Sequence, residues 1–145
     1  MWHLNIILVS VKFQNKLDQL EGYNNFQETV NKIKNDLLKF LIDKKSINKL
    51  VVAYGAAAKG NTFLNYAGIK IDLIPAVYDI AESKQGKYLP GSHIPIYEPN
   101  ALLNEPLDYV VILPWNIADE VVKQNQELKN TGVLFLTAVP ELRCS

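Results

Sequence analysis

A glycine-rich segment that follows an apolar run is the part of the chain best suited to chemistry. Residues 55–62 read Gly-Ala-Ala-Ala-Lys-Gly-Asn-Thr and come directly after the apolar residues 50–54. Small residues let a ligand approach the backbone closely, and free N–H groups at a helix start attract phosphate oxygens. Lys59 adds a positive charge that packing does not need. We therefore predict a phosphate- or nucleotide-binding turn, with a tight strand-to-helix turn that needs small residues only for packing as the alternative.

Known phosphate-binding patterns are met only in part. The segment departs from the Walker pattern because Lys59 precedes Gly60 instead of following it. It nearly meets the dinucleotide-binding fingerprint, with Ala57 where the middle glycine belongs, and Asp79 after the next apolar run stands where a ribose-binding acid would.

Two further segments carry polar and aromatic groups. Residues 79–96 show no helix or strand pattern, and a loop of this length is usually functional or disordered. Their aromatic and aliphatic content argues against disorder. His93 in this loop is either a structural hydrogen-bonding group or a ligand or acid–base residue. Trp115 and Asn116 follow another apolar run, and Asn116 has a second interpretation as a helix cap.

The apolar runs predict a parallel sheet with intervening helices. Residues 50–54, 73–78, 109–113 and 133–136 are continuously apolar, as strands covered on both faces should be. A helix is predicted to begin at Asn25 as its cap, with Glu28 reaching back to it, and another to run from 116 to about 128. A short helix after the glycine-rich turn is expected to end near Gly68, and Gly132 to end the last one. The apolar stripe of the first helix consists of Phe26, Val30, Ile33, Leu37, Phe40 and Leu41.

These elements predict an α/β fold. We expect a Rossmann-like three-layer domain with a mainly parallel sheet of about four or five strands and helices on both faces. The length of 145 residues fits one domain at 23–145, preceded by an N-terminal strand or loop segment at 1–22. Ligands bind beyond the carboxyl ends of such strands, where residues 55–62, 79–93, 115–116 and the tail after 136 are expected to lie.

Composition argues against several classes of function. Fifteen basic residues balance fifteen acidic ones, and Arg143 is the one arginine, so a nucleic-acid partner is not expected. The single cysteine, Cys144, excludes an internal disulfide, and His3 and His93 are too far apart in sequence to suggest a metal site. We find no targeting or membrane-spanning pattern and expect a cytoplasmic protein.

Several motifs occur together in an order that resembles a known family. They are Tyr54-Gly-Ala-Ala-Ala-Lys-Gly-Asn-Thr62, Leu64-Asn-Tyr66, Asp79, Lys84-Gln-Gly-Lys87, Pro90-Gly-Ser-His-Ile-Pro-Ile96 and Trp115-Asn-Ile-Ala-Asp-Glu120. This pattern closely resembles the C-terminal domain of S-adenosylmethionine-dependent sugar C-methyltransferases, which methylate nucleotide-linked deoxysugars. The resemblance extends over roughly residues 25–142, nearly the whole chain.

The resemblance implies a protein of three parts. They are a zinc-binding N-terminal region, a methyltransferase domain that holds S-adenosylmethionine, and this α/β domain, which helps to hold the nucleotide-sugar. The chain has no cysteine set for the zinc region, no acidic Gly-x-Gly motif for the methyl donor and no His-Gly-Gly-Ser-Leu-Arg-like segment.

We therefore expect a nucleotide-sugar-binding domain that binds no cofactor itself and is inactive alone. Its expected partners are a nucleotide-diphosphate sugar and a methyltransferase domain or chain. The alternatives are a dinucleotide- or coenzyme-binding Rossmann domain, and a structural module that docks on a separate methyltransferase chain.

Site residues follow from the same resemblance. The turn containing Gly55 is expected to bind the diphosphate through Lys59, Gly60 and Asn61, while Tyr54 and Asp79 flank the sugar or base. The remaining expected residues are those of the extended loop that closes over the ligand, Lys84, Lys87, Tyr88, Ser92 and His93, and those of the rim, Trp115 and Asn116. No catalytic residue and no metal ligand is expected.

Overall fold

The computed structural model describes residues 25–145, so the predicted segment at 1–22 lies outside the described residues. The helices are α1 (Phe26–Ser46), α2 (Ala58–Ala67), α3 (Ala118–Gln124) and α4 (Gln126–Asn130), with 3-10 helices at Pro99–Asn104 and Trp115–Ile117. The strands are β1 (Val51–Tyr54), β2 (Val77–Tyr78), β3 (Ile96–Tyr97), β4 (Tyr109–Ile112), β5 (Leu134–Thr137) and β6 (Arg143–Cys144).

The strands form one six-stranded sheet in the order β3-β2-β1-β4-β5-β6. All neighbouring pairs are parallel except β5 and β6, which are antiparallel. The predicted α/β, Rossmann-like fold is confirmed, but the sheet has six strands where four or five were expected. The short strands β3 and β6 correspond to none of the four apolar runs. Because the chain returns from β3 to place β4 on the other side of β1, the strand order reverses between β1 and β4. Ligands bind at such a switch point in open α/β sheets.

Alternate residues of the strands pack on two apolar layers. Val51 and Ala53 face the layer covered by α1 and α2, whereas Val52 and Tyr54 face the layer covered by α3 and α4. The predicted stripe of α1 is confirmed at Val30, Ile33, Leu37 and Leu41, which are buried, while Phe26 and Phe40 are partly buried at its margin. Within residues 25–145, no helix is long and apolar enough to cross a bilayer.

Two predicted helix features differ from the structure because side chains form other hydrogen bonds. Asn25 precedes α1 but makes no side-chain cap; instead the Thr29 hydroxyl donates to the Asn25 carbonyl at 3.0 Å. The helix predicted at 116–128 is divided into α3 and α4 at Asn125, whose side-chain amide donates to the Val121 carbonyl at 2.8 Å and competes with the helical hydrogen bonds.

The strand predicted at 73–78 is also shorter than expected. The N–H groups of Leu73 and Ile74 both donate to the Lys70 carbonyl, which holds this stretch in a turn. Pro75 has no N–H to donate, so regular pairing begins only at Val77.

Candidate functional site

The glycine-rich turn connects β1 to α2 at the switch point. Gly55 has a φ of +85°, a backbone region that favours glycine, and its N–H donates to the Tyr78 carbonyl at 2.7 Å. A side chain on Gly55 would overlap the ring of Pro114, and one on Gly60 would overlap Leu113. Both glycines are therefore needed for close packing against the chain that leaves β4, which is the packing role that the sequence analysis kept as an alternative. This packing does not involve the N–H groups in the first turn of α2, which have no acceptors within the helix.

Lys59 lies in the first turn of α2 and faces the chain after β4. Its Nζ donates to Oδ1 of Asn116 and lies 4.9 Å from the ring centroid of Trp115. That ring in turn packs edge-on against Phe63, with 6.4 Å between centroids. Asn116 thus holds Lys59 and caps no helix, since α3 begins after Ile117.

The charge of Lys59 is only partly compensated. Burial lowers the pKa of its ammonium group below the ordinary lysine value of 10.5. The ion pairs among residues 25–145 do not include Lys59, so its partners are a ring face and a neutral amide. A partly desolvated cation beside free N–H groups is suited to an anionic ligand.

Asp79 is buried and its carboxylate is already occupied. Oδ2 accepts hydrogen bonds from the Ala56 N–H at 2.6 Å and from Lys84 Nζ at 3.0 Å, and Oδ1 accepts one from the Ala81 N–H at 2.7 Å. With 6% of its surface exposed, Asp79 ties the glycine-rich turn to the loop that follows β2. A ribose hydroxyl would have to share a carboxylate that already accepts three hydrogen bonds.

The extended loop has more regular backbone pairing than expected and lies along the edge of the sheet. The backbone of residues 86–89 pairs with that of 94–96, including the hydrogen bonds from the Gly86 N–H to the Ile96 carbonyl and from the Ile96 N–H to the Lys87 carbonyl. Lys87 Nζ donates to the Ser83 carbonyl at 2.6 Å, and the Tyr88 side chain is exposed. The loop is therefore a hairpin-like arm beside β3.

The tip of this arm lies away from Lys59. The Asn65 amide donates to the Pro90 carbonyl at 2.9 Å, which fixes the tip beside the C-terminal part of α2. Asn65 is six residues beyond Lys59, or about 9 Å along the helix. Ser92, which is buried, and His93, which has a φ of +57°, belong to this tip. The structure thus places Ser92 and His93 apart from the cluster at the switch point.

Two other predicted residues lie before and after the glycine-rich turn, and only the first of them joins the cluster. Tyr54, 5% exposed, ends β1 directly before the turn, and Asn61 lies on α2, where its Oδ1 accepts a hydrogen bond from Asn65 at 3.4 Å. The residues brought together at this edge are Tyr54, Gly55, Lys59, Gly60, Asp79, Lys84, Trp115 and Asn116.

A cleft of about 600 Å³ extends from Trp115 and Asn116 toward the C-terminal tail. Its lining includes charged and hydroxyl groups that the sequence analysis did not assign individually as site residues: Asp119, Glu120, Lys123, Thr137 and Arg143. Thr137 ends β5 and Arg143 lies in the tail after 136, which the sequence analysis expected at the ligand edge. Within residues 25–145, no group of three or more His, Cys, Asp or Glu side chains is placed to hold a metal ion.

Comparison with known proteins agrees with this architecture. A family model described as "C-methyltransferase C-terminal domain" matches residues 8–140. The C-methyltransferase NovU of Streptomyces niveus is 38% identical to the chain over 95 residues. That match covers 66% of this chain but 23% of the relative, so the chain corresponds to a small part of that protein's length. With a family match over most of its residues, the chain belongs to the C-methyltransferase C-terminal domain family.

Proposed function

We propose that this domain binds a nucleoside-diphosphate sugar at the carboxyl edge of its sheet and serves as the substrate-holding part of a sugar C-methyltransferase. The observation that carries the proposal is the position of Lys59. Its charge lies at the switch point without a carboxylate partner among the described residues, next to the glycine-rich turn and the start of α2. A diphosphate would supply the missing negative charge.

Two features favour this ligand over a dinucleotide. Asp79 stands where a dinucleotide-binding fold has the acid that binds ribose. Its carboxylate oxygens already accept hydrogen bonds from Ala56, Ala81 and Lys84. The 600 Å³ cleft beside Lys59 contains Asp119, Glu120 and Thr137, whose oxygens suit the hydroxyl groups of a sugar.

Methyl transfer needs a methyl donor, and Asp79, the candidate acid for binding the ribose of that donor, already accepts three hydrogen bonds. We therefore expect the 145-residue chain to bind the nucleotide-sugar without methylating it. The similarity to a protein named as a C-methyltransferase supports this assignment of role, with catalysis supplied by another domain or chain.

The test is titration calorimetry of the full chain with uridine and thymidine diphosphate-sugars, NAD and S-adenosylmethionine. We expect the chain to bind a diphosphate-sugar and to bind neither NAD nor S-adenosylmethionine. Lys59→Ala should weaken that binding about ten- to a hundredfold, since a hydrogen bond to a charged group contributes about 1.5–3 kcal/mol.

The matched control is Lys70→Ala, because Lys70 is exposed and lies beyond the other end of α2. Lys123 would not serve, as it lines the cleft. Equal affinities of the wild type and of Lys59→Ala would contradict the proposal, as would saturable binding of NAD or of the methyl donor in place of the sugar nucleotide.

A further inference from the structure

A second pocket lies on the other side of the glycine-rich turn, and we propose that it binds the heterocyclic base of the nucleotide. This inference rests on the proposed function. The pocket has a volume of about 360 Å³ and lies between the 3-10 helix Pro99–Asn104, the junction of α3 with α4, and the ends of β1 and β2. None of the residues assigned from sequence motifs lines it except Tyr54.

The lining of the pocket suits a flat, neutral ring. Its floor is apolar and closed, with Tyr54 5% exposed, Leu102 1% and Leu128 3%. Two apolar side chains at its rim, Ile80 and Leu103, are 67% and 51% exposed. Covering a large, exposed aliphatic side chain with a ring removes apolar surface from water and therefore favours binding. The faces of a base supply such a surface.

Polar groups around the pocket suit the edge of a base. Asn100 and Gln124 provide exposed amides, each with both a donor and an acceptor, which is what the carbonyl and N–H groups of a base require. The Gln124 amide also donates to Glu120 at 3.4 Å, which uses one of its two N–H groups. The Asn125 side chain is fixed by its bond to the Val121 carbonyl, which leaves its amide oxygen as an acceptor.

The one charged residue of the lining is Glu127. Its carboxylate repels phosphate and accepts from N–H groups, so the pocket selects the base and not the diphosphate.

The pocket adjoins the glycine-rich turn along two strands. Tyr54 immediately precedes Gly55, and Ile80 immediately follows Asp79, whose carboxylate holds the Ala56 N–H. Neighbouring strands are about 4.8 Å apart, so the pocket and the 600 Å³ cleft, which lies beyond β4, are separated by roughly 10 Å. A diphosphate at Lys59 would lie between them. This places the base beside Leu103 and the sugar beside Trp115.

The experiment compares three probes on the full chain by calorimetry: uridine diphosphate, thymidine diphosphate and inorganic pyrophosphate. We expect at least one nucleoside diphosphate to bind the wild type about tenfold or more tighter than pyrophosphate. Leu103→Trp fills the pocket from an exposed position and should remove most of this advantage while pyrophosphate affinity stays unchanged. The control is Leu134→Trp, because Leu134 is similarly exposed but begins β5, at the end of the sheet away from the glycine-rich turn.

A second pair of variants guards against a folding defect. Gln124→Leu should weaken nucleoside diphosphate binding several-fold, and Gln126→Leu, two residues further and outside the pocket, should not. Equal binding of pyrophosphate and both nucleoside diphosphates, with all pocket variants at wild-type affinity, would overturn the base pocket alone. Failure of all three diphosphates to bind would overturn the proposed function and the pocket with it.

Discussion

At the scale of single residues, the protonation of Lys59 links the site to pH. Burial lowers the pKa of Lys59 below 10.5, so the residue loses its charge at a lower pH than an exposed lysine does. A diphosphate prefers the protonated form. Affinity for a nucleoside diphosphate should therefore decline as the pH rises through this lowered pKa, a decline measurable by calorimetry between pH 7 and 10.5.

Lys59→Arg provides the comparison for this pH dependence. A guanidinium stays charged throughout that range, so the variant should keep its affinity where the wild type loses it. A parallel decline in both proteins would mean that another group, and not Lys59, controls binding.

At the scale of elements, the contact between α2 and the end of β4 depends on a residue without a side chain. Alanine normally stabilises a helix relative to glycine by about 1 kcal/mol. Because a Cβ on Gly60 would overlap Leu113, we expect Gly60→Ala to reverse that sign and to destabilise the fold by about 1–3 kcal/mol. Urea unfolding followed by circular dichroism would measure the change, with Thr62→Ala on the same helix as the control. A stabilised Gly60→Ala variant would show that α2 can move away from β4.

Much of the element pattern could be predicted from the sequence, because apolar runs and the stripe of α1 report burial directly. The placement of Gly55 and Trp115 at the carboxyl edge also followed, since they come just after strands. The strand order that makes this edge a switch point was not predicted. The role of Asp79 could not be predicted. An acid at a strand end has the same sequence context whether it binds a ligand or, as here, the Ala56 and Ala81 N–H groups. The position of Ser92 likewise depends on the bond from Asn65 to Pro90, which joins residues 25 apart.

At the scale of the whole molecule, two apolar layers share one thin sheet. The layer under α1 and α2 contains Val51 and Ala53, and the layer under α3 and α4 contains Val52 and Tyr54, so each layer packs on alternate residues of β1. Loss of packing in one layer must therefore disturb the strand that supports the other. We infer that residues 25–145 unfold as one cooperative unit, as small single domains usually do.

Leu37→Ala tests this coupling from the side opposite to the 360 Å³ pocket. Leu37 is fully buried in the α1 layer, so its truncation should lower the free energy of unfolding by about 2–5 kcal/mol, whereas Ile42→Ala, at a position 54% exposed on the same helix, should have little effect. Far-ultraviolet and near-ultraviolet circular dichroism should report the same shifted midpoint in urea, because loss of the α1 layer also unfolds the sheet on which both apolar layers pack. Two separated transitions in Leu37→Ala would show that the layer carrying Tyr54 and the pocket folds without α1.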